Sequence, residues 1–441
     1  MFKTDIEITP LDAWISQKIV NVGHTLSKER IEEYQLVKLR ETIARARSAS
    51  PFYRNLFQGI ESNIRTLDDL KRFPFTTAEN IKEHSLRFLC VSQDDINRVV
   101  TLDTSGTTAN PKRLYFTSSD VELTVDFFQH GMSTLAGSGD RVLILLPGER
   151  PGSVGDLLAV ALKRLGATPV PHGIVRNMPE TLKIMARENI NSIVGIPVQV
   201  LSLAGYADAA DIRIGLKSVL LSTDNVPATI VSELKRLWDC RVFEHYGMTE
   251  MGLGGGVECA AHDGYHLREA DLYFEIIDER GSPVADGQQG EIVFTTLNRQ
   301  GMPLIRYRTG DVSRIIPGPC RCGSIIRRLQ KIAGRINGHV EIGDLRLGMP
   351  DLDKQLFGVP GIIDFSASVD SAQNTGRLVI RALTVGKTGQ HSAAYLLAAL
   401  DRIQAIYDAR TRNALKIDVR TVKCNGSLPP YAGKRLISVL H

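Results

Sequence analysis

The run Thr104-Ser105-Gly106-Thr107-Thr108-Ala109-Asn110-Pro111-Lys112 combines small hydroxyl residues, one glycine and a Pro-Lys ending, just after the largely apolar Val99-Val100-Thr101-Leu102. A loop of this composition can wrap backbone N–H groups and hydroxyls around a polyphosphate, with Lys112 supplying positive charge. It lacks the G-x-x-x-x-G-K-[ST] spacing, which excludes an ordinary Walker loop. A polar surface turn uses the same residue types and stays open as the alternative. The segment His245-Tyr246-Gly247-Met248-Thr249-Glu250 sets an aromatic, a hydroxyl and a carboxylate around one glycine; in isolation it also reads as a strand end with a satisfied Glu. Tyr307-Arg308-Thr309-Gly310-Asp311 is by itself a common turn composition, and Lys434 by itself a solvated lysine. Cys259, His266, Cys320 and Cys322 offer thiolate and imidazole, the donors of structural zinc. Their spacing is unlike a zinc finger's, so ordinary buried thiols remain the alternative, and His262 competes with His266 as a ligand.

These residues need elements to hold them. An apolar stripe predicts a helix from about Leu26 to Ala49, stopped by Ser50-Pro51, and a short helical stretch over Leu67 to Phe73 that ends at Pro74. Strands then alternate with helices: strands at 141–146, 167–170, 192–196, 217–222 and 241–244, and helices at 153–165, 180–188, from about 197, and 227–238. Apolar strands in such alternation imply a parallel sheet covered on both faces. Ligands sit at the carboxyl ends of its strands, where Ser222 to Asn225 and His245 to Glu250 emerge. From Leu272 onward, strands at 272–277, 290–296, 303–307 and 312–316 are separated by turn signals, which predicts an antiparallel or barrel-like subdomain. Beyond Gly334-Arg335-Ile336-Asn337-Gly338 the pattern changes to a hairpin (363–369 and 377–384), one long helix (392–407) and a strand (415–422). The expected fold is therefore α/β, with a large domain over 1–334 and a small α+β domain over 335–441.

The 441 residues have ample length for more than one domain. The composition is ordinary, 43% apolar and 23% charged, with a net charge of +4. Nothing in that balance argues for a nucleic-acid or membrane partner. Met1 to Glu7 has no apolar core of a signal peptide, and no apolar run approaches the ~20 residues of a bilayer span. A cytoplasmic protein is expected. Six scattered cysteines do not make a disulfide framework.

Taken in order, the motifs resemble those of the adenylate-forming superfamily. Thr104 to Lys112 resembles its phosphate loop, [ST]-[ST]-G-T-T-G-x-P-K, and 246–250 its Y-G-x-[ST]-E motif. Tyr307 to Asp311 resembles Y-x-T-G-D, and Gly426-Ser427-Leu428-Pro429-Pro430-Tyr431-Ala432-Gly433-Lys434 the loop with the mobile lysine. Ser50 to Arg54, Phe73 to Thr77, Gly290 to Leu297 and Gly301 to Arg308 are similar to signatures of the phenylacetate–CoA ligase branch. The resemblance implies a carboxylic acid and ATP giving an acyl-adenylate and pyrophosphate, followed by attack of the CoA thiol. It implies that Thr104, Ser105, Gly106, Thr107, Thr108 and Lys112 meet the phosphates. Tyr246 would stack on adenine, Thr249 meet the α-phosphate and Glu250 help hold magnesium. Asp311 would accept from the ribose hydroxyls, a task suited to a group that only accepts and takes two donors. Arg335 would also meet the ribose. Lys434 would supply positive charge as the carboxylate attacks phosphorus. Cys259, His266, Cys320 and Cys322 resemble a zinc-binding set of that branch, and with four protein ligands the role would be structural. The branch further implies a homodimer and an aromatic or medium-length apolar acid.

Three departures stand out. Ala109 replaces the usual glycine of the phosphate loop, and Asn337 stands where the hinge usually has aspartate. Arg346-Leu347-Gly348-Met349-Pro350 only partly matches the loop that guides CoA. These leave room for an adenylating enzyme with another acceptor, a carrier-protein thiol or an amine, or for a nucleotide-binding protein of reduced catalysis.

Overall fold

A computed structural model describes residues 6–19, 26–61, 63–102, 111–342, 345–370, 376–386, 392–430 and 433–440. The chain divides into two compact units, one from 1–134, 160–165 and 245–333, the other from 135–159, 166–244 and 334–441.

In the first unit the helix Lys28–Ala49 starts where the Ser27 side chain accepts from the Arg30 N–H, and it buries Ile31, Gln35, Leu39, Thr42, Ile43 and Ala46 along one stripe. Two of these are polar and are satisfied: Gln35 donates to the Glu269 carbonyl (2.9 Å) and Thr42 to that of Leu297 (2.8 Å). Ser50 ends this helix and caps the next, Pro51–Leu56, by accepting from the Tyr53 N–H. Leu67–Arg72 is a 3₁₀ turn rather than an α-helix. The strands Ile96–Leu102 and Lys112–Thr117 pair antiparallel, with Leu102 opposite Lys112. The helix Ser118–Met132 follows at once, its start fixed by a capping box of Thr117 and Asp120. Three antiparallel strands, Leu272–Ile277, Gly290–Thr296 and Tyr307–Ser313, form the sheet expected after residue 272.

That last strand corrects the reading of two strands at 303–307 and 312–316. Gly310, in the stretch read as a turn composition, sits inside it at φ +74°, and the pairing with Gly290–Thr296 shifts register between Glu291 and Val293. A left-handed residue at an irregularity of this kind lets a strand continue with an altered twist.

The second unit holds a parallel sheet in the order Thr168–Pro171, Arg141–Leu145, Ser192–Gly195, Ser218–Leu221, Arg241–Tyr246. The helices Val154–Arg164, Met178–Arg187, Pro197–Ala209 and Ala228–Trp238 alternate with these strands. Its C-terminal part orders Leu415–Lys423, Gly376–Thr384, Ile362–Asp370 and Ser438–Leu440 into a mixed sheet. The single helix expected at 392–407 is two, Ser392–Leu400 and Gln404–Thr411. Ile403 between them is extended (φ −84°, ψ 105°), and the break lets both Leu400 and Ile406 enter the core. This part packs on Pro197–Ala209: Ser202 donates to the Ile363 carbonyl (2.9 Å), and a Cβ on Gly205 would come within 2.7 Å of Ile363 Cγ2. One core cluster runs from Leu143 and Leu145 through Val200 and Leu203 to Ile363, Ile380 and Leu415.

Candidate active site

Glu250 lies in a short 3₁₀ turn, Thr249–Met251, just past the end of the strand Arg241–Tyr246. The turn requires the glycine of the motif, since a Cβ on Gly247 would sit 2.1 Å from the Leu253 carbonyl oxygen. The carboxylate is 2% exposed. Lys112 forms an ion pair with it, and the Tyr307 hydroxyl donates to Oε1 at 3.2 Å. Burial pushes the Glu250 pKa up, but the charge and hydrogen bond of Lys112 outweigh it, leaving the acid below its usual range and ionised.

Next to this group, the buried Tyr246 hydroxyl donates to Asp311 Oδ2 at 3.1 Å. Its ring stacks on Tyr265, with centroids 6.1 Å apart. Asp311 is held by its own N–H donating to Thr309 Oγ1 (3.0 Å), while Thr309 donates to the Ile292 carbonyl (2.8 Å). The segments 50–54 and 73–77 hold this strand. Tyr53 Oη accepts from the Ile305 N–H (2.9 Å) and Thr76 Oγ1 donates to the Ile305 carbonyl (2.7 Å). The Thr76 backbone bonds both Arg306 and Arg308. Buried Arg306 pairs with Glu275 (2.9 Å), donates to the Phe73 carbonyl (2.8 Å) and lies over the Phe75 ring. The first unit thus brings Lys112, Tyr246, Glu250 and Asp311 together, with Thr249 beside Glu250. Tyr307, whose part was not read from the sequence, couples the two motifs. In the structure Tyr307 and Asp311 are both buried positions of one strand with alternating burial.

Thr104, Ser105, Gly106, Thr107, Thr108 and Ala109 lie outside the described residues. Arg335 and Asn337 are exposed. Arg346 meets His339 Nδ1 (2.9 Å) and the Ile336 carbonyl. Lys434, exposed in the second unit, lies within electrostatic reach of Asp224. Its loop is tied down earlier: the Met178 N–H donates to the Gly426 carbonyl (2.8 Å) and the Leu428 N–H to that of Arg176 (3.0 Å). His245 is enclosed by Phe127 and Phe128, with centroids 6.2 and 6.3 Å away. Burial and the Arg268 charge push its pKa down to about 4, so the imidazole is neutral near pH 7.

Cys259, His266, Cys320 and Cys322 are all buried, and their donor atoms lie within 4.8 Å of one another. Cys259 Sγ is 3.7 Å from Cys320 Sγ, and Cys322 Sγ is 3.5 Å from His266 Nε2. Tetrahedral zinc with its ordinary bond lengths separates two sulfurs by about 3.8 Å, and a sulfur from a nitrogen by about 3.6 Å. The donor set therefore fits such an ion in chemistry and spacing. His262 instead turns its Nδ1 to Glu258 at 3.2 Å.

Residues 72–298, more than half of the chain, match the family described as AMP-binding enzyme, and the chain belongs to that family. Among curated relatives, the phenylacetate-coenzyme A ligase of Escherichia coli (strain K12) is 26% identical over 432 residues, covering 93% of this chain and 94% of that one. The enzyme of the same name from Pseudomonas putida is 28% identical over 352 residues, 76% and 77% of the two chains. A solved 2-hydroxyisobutyryl-CoA ligase, in the postadenylation state with R3-HIB-AMP, covers 96% of this chain and 91% of its own. Its TM-score is 0.78 at 20% identity, so the two share a fold.

Proposed function

We propose that the protein activates a carboxylic acid with ATP, forming an acyl-adenylate and pyrophosphate, and then transfers the acyl group to the thiol of CoA with release of AMP. The observation that carries this reading is the convergence, in a chain of the AMP-binding enzyme family, of Lys112, Glu250, Tyr307, Tyr246 and Asp311 in one linked set. Glu250 is the residue that would hold magnesium. It is a buried, ionised carboxylate that already requires a cation beside it, and a hard divalent ion with oxygen ligands neutralises polyphosphate. Asp311 accepts from the ribose, Tyr246 stacks on adenine, Thr249 meets the α-phosphate, and Lys112 with 104–108 meets the phosphates. Arg335 also meets the ribose. Lys434 stabilises charge as the carboxylate oxygen attacks the α-phosphorus and pyrophosphate departs. Residues 335–441 act as the mobile domain, with Asn337 at its hinge.

For the acid we propose an aromatic carboxylate of the phenylacetate class. The relatives' names and the apolar surroundings of the neutral His245, between Phe127 and Phe128, support this choice. Cys259, His266, Cys320 and Cys322 hold a structural zinc ion. The cytoplasm as location and a homodimer as assembly belong to the same proposal, checked by cell fractionation and light scattering. The central test is acid-dependent ATP–pyrophosphate exchange over a panel of carboxylic acids, with and without CoA. Exchange with arylacetates and consumption of CoA are expected. No exchange with any acid overturns the catalytic reading, and exchange without CoA consumption moves the acceptor to a carrier thiol or an amine.

A further inference from the structure

Lys434 lies in a bend ahead of the strand Ser438–Leu440; Lys434 and Leu436 are exposed, Arg435 is half-buried and Ile437 is buried. The Arg435 side chain is the most elaborately held cation of the second unit's C-terminal part. Its Nη1 pairs with Asp353 on the helix Met349–Leu356, where the carboxylate is 4% exposed. Its Nη2 donates to the Phe365 carbonyl at 3.0 Å, and its guanidinium lies over the rings of Phe365 and Phe357, 4.4 and 4.8 Å from their centroids. The Arg435 backbone N–H donates in addition to Asp224 Oδ2 at 3.3 Å. Asp224 also accepts, through Oδ1, from the N–H of Asn225 (2.8 Å), and the Asn225 side chain bonds Asp353. Asp364 completes the surroundings: it is half-buried and feels the Arg435 charge. One residue thereby ties together the helix at 349–356, the strand beginning at 362 and the loop 222–225.

We propose that Arg435 is a positioning residue that clamps the Lys434 loop to the 222–225 loop and so fixes where the Lys434 ammonium is presented. Arg435 is the residue directly bonded to Lys434, so anchoring its side chain and its backbone N–H restricts the backbone from which the Lys434 side chain extends. A planar fork that donates to a carboxylate and a carbonyl while stacking on two rings has a defined orientation, which a lysine in its place lacks. Without the guanidinium, buried Asp353 and half-buried Asp224 and Asp364 lose the cation among them and have reason to separate, and the loop loses its anchor. The inference rests on reading Lys434 as the lysine of the adenylation step.

The test uses the full chain and the variants Arg435→Gln, shorter and uncharged but still polar, and Asp353→Asn, which keeps side-chain size; each removes one charge. Hydrogen exchange of 433–440 reads the clamp without reference to activity, and faster exchange in both variants is expected. The two half-reactions read positioning: pyrophosphate exchange with phenylacetate falls about 10- to 100-fold, as for a catalytic group displaced by about 1 Å. Thioester formation from supplied phenylacetyl-adenylate stays within about threefold of the parent chain, because Lys434 serves only the first step. Unchanged hydrogen exchange overturns the clamp. Equal losses in both half-reactions reduce Arg435 to a structural residue, which also overturns the proposal. If the parent chain exchanges no pyrophosphate with any acid, the adenylation reading is what fails, and hydrogen exchange alone then decides whether the clamp exists.

Discussion

At the scale of single residues, the site is organised around one carboxylate kept ionised out of water. Lys112 opposes the burial cost of Glu250 by charge, and Tyr307 by donating to the same oxygen. A hydrogen bond to a charged group contributes about 1.5–3 kcal/mol, and the buried acceptor keeps its desolvation cost when the donor is removed. Tyr307→Phe should therefore destabilise the chain by about 2 kcal/mol in urea denaturation while also lowering pyrophosphate exchange. A variant as stable and active as the parent chain would show that the bond contributes nothing. His245 gives the opposite electrostatic case. Its folded-state pKa of about 4 lies below the ordinary 6.5, so between those values the unfolded chain binds the extra proton. Stability therefore falls as pH drops through that window. In His245→Gln the slope of the urea midpoint between pH 7 and pH 5 should be shallower than in the parent chain; an identical slope would remove His245 as its source.

At the scale of elements, the turn after Arg241–Tyr246 shows why some of the site was legible. A glycine between an aromatic and a hydroxyl–carboxylate pair is a local requirement, met here because Leu253 O passes where a Cβ would go. Gly247→Ala should cost about 1–3 kcal/mol in urea denaturation by overpacking. It should lower activity as well, since the same turn carries Glu250. The parallel strands were legible for a similar local reason, as short apolar runs between helices. Elements whose cause lies elsewhere in the chain were not read. Ser118–Met132 was not read although its Thr117–Asp120 box is local; what no local pattern tells is that Asp120 also accepts from the Gln300 and Gly301 N–H groups 180 and 181 residues away. Gly310 looked like a strand end because its effect depends on the partner strand, where the pairing shifts. Arg435 meets Asp353 82 residues earlier, and no spacing rule along the sequence connects them.

At the scale of the molecule, the strand pair Ile315–Ile316 and Arg328–Leu329 joins Tyr265–Leu267, and the question is what holds the loop 317–327 between them. Around its cysteines the apolar contribution is small: Cys259, Ala261, Cys320 and Cys322 form a separate cluster, with Ile6 alone packed against it among the described residues. Without a metal, the three neighbouring thiols push His266 upward despite its burial, His266 holds Cys322 down, and burial pushes Cys259 up, so a positive charge shared by the thiolates would relieve the cluster. A zinc ion would supply that charge and close a loop of 62 residues between Cys259 and Cys322. Such a closure removes several kcal/mol of conformational freedom from the unfolded chain, by analogy with a disulfide. Purified protein should therefore carry about one zinc per chain by elemental analysis. Prolonged chelation should lower the unfolding temperature by several degrees, with readdition of zinc restoring it. Cys322→Ser should lose the metal and show the lowered temperature without chelator, whereas His262→Gln should keep both metal and stability because His262 faces Glu258. Metal-free protein of unchanged stability would leave the four residues as ordinary buried thiols and an imidazole. Loss of zinc in His262→Gln would instead exchange that residue for His266 in the ligand set.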